Sequence, residues 1–165
     1  VLKPGIKVPS EARIKGRRLL SLVQKGPRRA RYRLIDTRPE SVFGAKHIPT
    51  AVHLDPKRLV TTLDRERPAR DELVILYDQG ARWPTAWEAT REARRRGFKN
   101  VRLYRGGLSD WWLRGKQPVS ISNDYLKRLI ENDAYPVILD LRPAERLRDG
   151  FLPGAVQVDP ERIEE

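Results

Sequence analysis

Asp78, Gln79, Gly80, Ala81, Arg82 and Trp83 follow directly on a continuous apolar run, Leu73 to Tyr77. A carboxylate and a guanidinium four residues apart, on a loop leaving a buried strand, offer either of two things. They form a binding cleft for a cation or peptide, or an ion pair that closes a pocket. Asp36 and Arg38 set the same residue types at another strand end. They are candidates for the same cleft, or for a turn held by a hydrogen bond or ion pair. Trp83 and Trp87, four apart at a helix start, fit a pocket mouth, a protein interface or the core equally well. Absent residue types narrow the chemistry further. The chain has no cysteine, which excludes disulfides, thiolate zinc sites and any cysteine nucleophile. Its two histidines, His47 and His53, and its scattered carboxylates form no metal constellation. His47 has no nucleophile to activate and is expected to be structural, and His53 to be an alternating strand residue. No metal and no cofactor is expected.

The elements that position these residues alternate. A short basic helix is expected over Ile14 to Gln24, stopped by Gly26-Pro27. Arg33 to Asp36 reads as a strand ending at an acidic turn, Pro39 to Phe43 as a helical turn, and Ala51 to Leu54 as a second strand. Pro56 to Leu63 looks helical. Leu73 to Tyr77 has the unbroken apolar character of a central parallel strand covered on both faces. Pro84 opens a helix to about Arg96, with Gly97 placed as its cap. Val101 to Tyr104 is a further strand, Gly106-Gly107 a tight turn, and Leu108 to Leu113 a last short helix. Strand and helix alternate throughout, so the fold class is α/β with a mainly parallel sheet.

The 26 residues Leu34 to Leu59 recur without a gap as Ile138 to Ile163, with nine identities that include Asp36, Arg38, Pro39 and Pro49. A period of 104 residues suits a small domain rather than a solenoid. The expected organisation is a basic N-terminal arm (residues 1–30), one complete domain (31–115), a linker and lead helix (116–135), and the opening of a second copy (136–165). A lone strand over Val137 to Leu141 would leave an unpaired edge. That segment is therefore expected to pack on the first domain, to pair with another chain as a homodimer, or to be a remnant.

Charge is concentrated at one end. Of the formal +12, the first 33 residues carry +10, eleven basic side chains against Glu11 alone. Arg13, Lys15, Arg17, Arg18, Arg28 and Arg29 make that arm a candidate for nucleic acid or an anionic surface. Against this, no aromatic residue precedes Tyr32 to stack on bases, and a solvated tether is the plainer expectation. The Arg91, Arg94, Arg95 and Arg96 cluster reads as a solvated helix face. No run approaches the ~18 apolar residues of a membrane helix, so a soluble protein is expected. The chain begins at Val1 and contains no Met. If a signal peptide has been cleaved the expected compartment is the periplasm, otherwise the cytoplasm.

Several of these stretches match one family in order. Leu34-Ile-Asp-Thr-Arg-Pro-Glu followed by His47-Ile-Pro-Thr-Ala resembles the opening of a rhodanese-like domain. Val74-Ile-Leu-Tyr-Asp with its Gly-Ala-Arg loop, Gly97-Phe-Lys-Asn-Val and Arg105-Gly-Gly-Leu-Ser-Asp-Trp continue the likeness. It resumes at Ile138-Leu-Asp-Leu-Arg-Pro and Phe151-Leu-Pro-Gly-Ala. The resemblance implies a three-layer domain around a mainly parallel sheet, with a partial second copy.

In family members that are enzymes, the resemblance implies a cysteine directly after the central strand, carrying sulfur as a persulfide. Its loop ends parallel strands and enters a helix, so backbone N–H groups converge as an anion cradle. Here that position is Asp78, and the spacing to Arg82 is one residue shorter. A carboxylate forms no persulfide, and at ~4 Å it would repel an incoming thiosulfate by roughly 4 kcal/mol in a partly buried site. The expectation is a catalytically inactive domain acting as a binding, regulatory or scaffold module toward a protein partner. Asp78 would then be the cradle's internal ligand, paired with Arg82. The alternative implied by the resemblance is the N-terminal part of a tandem thiosulfate or 3-mercaptopyruvate sulfurtransferase whose cysteine lies beyond residue 165. Binding of nucleic acid or an anionic surface through the arm is the third reading.

Overall fold

The structure, a computed structural model, describes residues 8–66, 72–115, 119–132 and 137–160. Pro4 and Gly5 of the expected loose start lie outside the described residues. So do Arg162 and Ile163 at the end of the repeat, and residues 116–118 and 133–136 of the linker region. The chain divides into two compact units, Val1–Ser122 and Asn123–Glu165.

The first unit is built on four parallel strands: β1 (Tyr32–Asp36), β2 (Ala51–His53), β3 (Leu73–Tyr77) and β4 (Val101–Leu103), in the order β2-β1-β3-β4. The register sets Asp36 opposite both His53 and Tyr77, so the strand ends that carry the candidate site share one edge. Side chains alternate between the sheet's two faces. Ile35, Val74, Leu76, Val101 and Leu103 pack on one side with the helices α4 (Leu59–Glu66) and α5 (Thr85–Arg95). Tyr32, Leu34, Ile75 and Tyr77 face the other, against α1 (Gly16–Lys25) and α6 (Gly107–Gly115). The result is the expected three-layer α/β arrangement. Two short helices, α2 (Pro27–Ala30) and α3 (Glu40–Ala45), complete the unit.

Local chemistry sets the boundaries. Gly97 follows the last helical turn of α5 with φ of 96°. Its N–H donates to Arg94 O, and that of Phe98 to Ala93 O; this pair of bonds is a Schellman stop. The cap itself is Arg96, so Gly97 stands one position beyond the expected place. In place of the single helix expected over Pro56 to Leu63 there is a 3₁₀ turn, Pro56–Arg58, running into α4, which ends at Glu66, with Asp55 capping Lys57 N–H.

One expectation is corrected. From residue 8 onward the basic N-terminal segment is part of the domain rather than an arm. Val8, Ala12, Ile14 and Leu19 are buried, Leu19 completely. Burying one such leucine contributes about 2 kcal/mol. Ile14 N–H donates to Leu103 O, which lays this segment along the edge of β4. The charges conceal this packing, because every cation in the segment projects outward while its sparse apolar residues turn in.

The second unit contains α7 (Asn123–Glu131), β5 (Leu139–Asp140), a 3₁₀ turn (Ala144–Asp149) and β6 (Val156–Gln157). β5 and β6 are parallel, with Leu139 opposite Val156 and Asp140 opposite Gln157. That register is the one of Ile35 with Val52 and Asp36 with His53, shifted by the repeat. Thr50 and Gly154, also equivalent, hold φ of 71° and 74°. Val137, Leu139, Leu141, Phe151 and Val156 are exposed in this unit.

Candidate functional site

Asp36 and Arg38 form a buried clasp at the end of β1. Arg38 Nε lies 3.0 Å from Asp36 Oδ1, and Nη2 lies 2.7 Å from Oδ2. The backbone N–H of Arg38 adds a third bond to the same carboxylate. Nη2 also donates to Lys46 O and Nη1 to Gln79 Oε1. Burial works against the charge on Arg38, but the Asp36 carboxylate outweighs it, and the guanidinium pKa ends above its usual value. Gln79 passes the connection on through Nε2 to Ser109 Oγ in α6. A polar chain therefore links β1, the loop after β3 and α6.

Asp78 sits at the head of that loop and is 5% exposed. Its Oδ1 accepts from Gly80 N–H at 3.1 Å, and its Oδ2 from Ala86 N–H at 3.3 Å. Ala86 lies in the first turn of α5, where Pro84 supplies no side-chain cap. Asp78 thus caps a helix it does not belong to, and its charge faces the positive end of the helix dipole. Burial raises its pKa to about 6, against the two backbone bonds, with the Asp36 charge adding to the rise. The loop is pinned from behind. Leu108 and Ser109 N–H donate to the carbonyls of Asp78 and Gln79. Gly107, with φ of 59°, presses so close that a Cβ there would meet Asp78 O at 2.2 Å.

The structure joins some candidates and separates others. Asp36, Arg38 and Asp78 gather at the C-terminal edge of the sheet, where Gln79 is bonded to Arg38. Arg82 and Trp83 are exposed, and Arg82 makes no ion pair with Asp78 among the described residues. The expected Asp78–Arg82 pairing is replaced by the two backbone bonds, since the turn from Gly80 to Trp83 carries the guanidinium outward. Trp87 is buried and Trp83 is 57% exposed, so the two rings part company. His47 is buried and held by its neighbours. Its Nδ1 bonds Phe43 O at 2.9 Å, its ring stacks on Phe43, and its backbone pairs with Ser120. Among the described residues no group of three or more metal-ligating side chains occurs.

Beside the loop opens a cleft of about 330 Å³, lined by Arg38, Val42, Lys46, Gln79, Ser109 and Trp112 among others. Lys46 Nζ stands 4.2 Å over the Trp112 ring, a cation–π contact. Sequence reasoning did not assign Val42, Lys46 or Trp112 to a site. A usable signal existed for Trp112. Leu108 and Trp111, three apart, share the buried face of α6, which turns the adjacent ring outward.

Parallel strands ending at a polar clasp, and a loop that feeds a helix N-terminus with two amides turned onto Asp78, define an α/β domain with a parallel central sheet. A family model described as Rhodanese-like domain matches residues 19–114. The chain belongs to that family. No curated protein matches it in sequence. Among solved structures it is similar to the rhodanese-like domain of an Anabaena protein, with a TM-score of 0.56 and 21% identity over 68% of this chain and 81% of that one. It is also similar to a Bacillus halodurans protein, with a TM-score of 0.55 and 21% identity over 67% and 78% of the two chains. A thiosulfate sulfurtransferase from Pseudomonas aeruginosa matches at a TM-score of 0.49 and 24% identity over 77% of this chain. The chain spans only 28% of that protein's length.

Proposed function

We propose that this chain is a rhodanese-like domain that does not transfer sulfur and serves as a binding or scaffold module. One observation carries the reading: the Asp78 carboxylate holds the N–H groups of Gly80 and Ala86, at the position where the family resemblance expects a sulfur-carrying cysteine. Sulfur transfer needs a thiolate that attacks, holds and releases one sulfur atom. A carboxylate does none of these, and the chain has no cysteine to substitute for it. Asp78 acts instead as the cradle's own anion. The adjacent cleft sets the Lys46 cation beside the exposed apolar surface of Val42 and Trp112. That combination suits a protein segment carrying an acidic side chain next to an apolar one.

Sulfur-transfer assays on this chain and on Asp78→Cys test the reading. Silence from the unaltered chain, with activity or silence from the variant, agrees with it. Turnover by the unaltered chain overturns it. Activity in the variant would add that only the nucleophile is lacking.

A second reading rests on the repeat. Arg142 clasps Asp140 as Arg38 clasps Asp36, with Nε–Oδ1 at 2.9 Å and Nη2–Oδ2 at 2.6 Å. Its further bond goes to Gly150 O, the counterpart of Lys46 O. This supports residues 136–165 as the opening of a second rhodanese-like copy, and the chain as the first part of a tandem thiosulfate or 3-mercaptopyruvate sulfurtransferase. The exposed Leu139 and Phe151, counterparts of the buried Ile35 and His47, would then be interior positions of that copy, or a contact between two chains.

A further inference from the structure

We propose that the first unit carries a pocket for a di- or triphosphate group, near the N-terminal ends of β3 and β4 and away from the Asp78 loop. The pocket encloses about 280 Å³ and is lined by Arg13, Lys15 and Arg18 from the N-terminal segment, by Arg102 of β4, and by Ile14, Leu73 and Asn100. Four cations therefore converge on one concavity, drawn together by a segment that the buried Ile14 and Leu19 fix in place.

Among the described residues, neighbouring acids form no ion pair with these cations. Glu66 and Glu72 are engaged with Arg33, and Glu92 with Arg95 and Arg96. Glu11 is the acid that acts on Arg102. Among the described residues, none of Arg13, Lys15, Arg18 and Arg102 is ion-paired with a carboxylate. Arg102 is half-buried and held by Lys99 O at 2.7 Å and Val101 O at 3.1 Å. Arg94 donates to the same two carbonyls. Burial, then the charges of Arg94 and Arg18, press the Arg102 pKa below its usual value. Like charges assembled without counter-charges are self-repelling unless an anion joins them.

The charge selects the class of ligand. One carboxylate would offset one of four cations, whereas a di- or triphosphate offsets most or all of them. Guanidinium forks also match pairs of phosphate oxygens. Ile14 and Leu73 give the pocket an apolar wall that leaves room for an organic part.

Calorimetric titration of the full chain with inorganic triphosphate, ATP, adenosine, and sulfate at matched ionic strength tests the proposal. Triphosphate and ATP are expected to bind, and adenosine and sulfate to bind at least about tenfold more weakly. Tighter binding of ATP than of triphosphate would identify a nucleotide as the source, and equal binding the phosphates alone. Arg18→Gln and Arg102→Gln are each expected to weaken binding about tenfold. Arg28→Gln with Arg29→Gln, on exposed α2 outside the pocket, should change it less than about twofold. Arg13→Gln, at an exposed position, repeats the test if Arg102→Gln fails to fold. Absence of triphosphate binding at low salt overturns the proposal. So does equal weakening by the α2 pair, which would mean diffuse attraction only. Tighter binding of a single-stranded oligonucleotide that depends equally on Arg28, Arg29, Arg18 and Arg102 would replace the pocket with a nucleic-acid surface.

Discussion

Asp78 has a measurable signature that distinguishes a buried internal anion from an ordinary surface carboxylate. Its folded pKa of about 6 lies above the usual 3.8. Between those values the folded chain holds the proton more tightly than the unfolded chain does. The group's stabilising contribution is therefore full below about pH 4 and is lost as pH rises through 6. Asp78→Asn removes this titration. The difference in unfolding free energy between variant and parent should shift in the variant's favour from pH 4 to pH 7, by about 2 kcal/mol after allowance for partial solvation. Urea unfolding at the two pH values checks it, and a pH-independent difference would contradict the burial described for this carboxylate. The identity of Asp78 was plain in the sequence, but its partners were not. Arg82 is its near neighbour along the chain, yet the turn at Gly80 aims that side chain away and leaves the carboxylate to backbone amides.

At the scale of elements, one clasp occurs in two settings. Asp36–Arg38 and Asp140–Arg142 have nearly the same distances, but the first pair is 0% and 5% exposed and the second 12% and 45%. Removing one partner of a buried pair strands the other charge at a cost of about 3 kcal/mol, whereas an exposed pair contributes little. Arg38→Met should accordingly lower the unfolding free energy by about 3 kcal/mol, and Arg142→Met should leave it unchanged. Chemical denaturation followed by far-ultraviolet circular dichroism, which reports on both units, reads both. Equal effects would mean that burial does not decide the worth of the clasp.

Most elements were legible because their patterns are local. Leu73 to Tyr77 is apolar throughout, and the strand has those bounds. Gly97 marks the end of α5 through a φ that other residues avoid. The N-terminal segment was not legible, since Ile14 and Leu19 are few among many cations and their burial depends on the distant edge of β4. The cleft escaped for a similar reason. Lys46 and Trp112 are far apart in sequence and meet only when α3 and α6 flank the same loop.

Considered whole, the molecule places two charge arrangements at different ends of one sheet. At the C-terminal edge the buried donors are answered from within: the Arg38 guanidinium by Asp36, and the amides of Gly80 and Ala86 by Asp78. Near the N-terminal edge Arg13, Lys15, Arg18 and Arg102 face a pocket with no paired carboxylate among the described residues. A chain of formal charge +12 attracts anions everywhere at low salt, so a test of the loop must compare variants rather than rely on binding alone. The most direct measurement is thiosulfate binding by calorimetry at pH 7 in 0.15 M salt, on the unaltered chain and on Asp78→Ala. The account predicts no resolvable binding to the former and measurable binding to the latter, whose amide cradle is vacated. Equal thiosulfate affinity in both would contradict the claim that this carboxylate fills the place of a substrate anion.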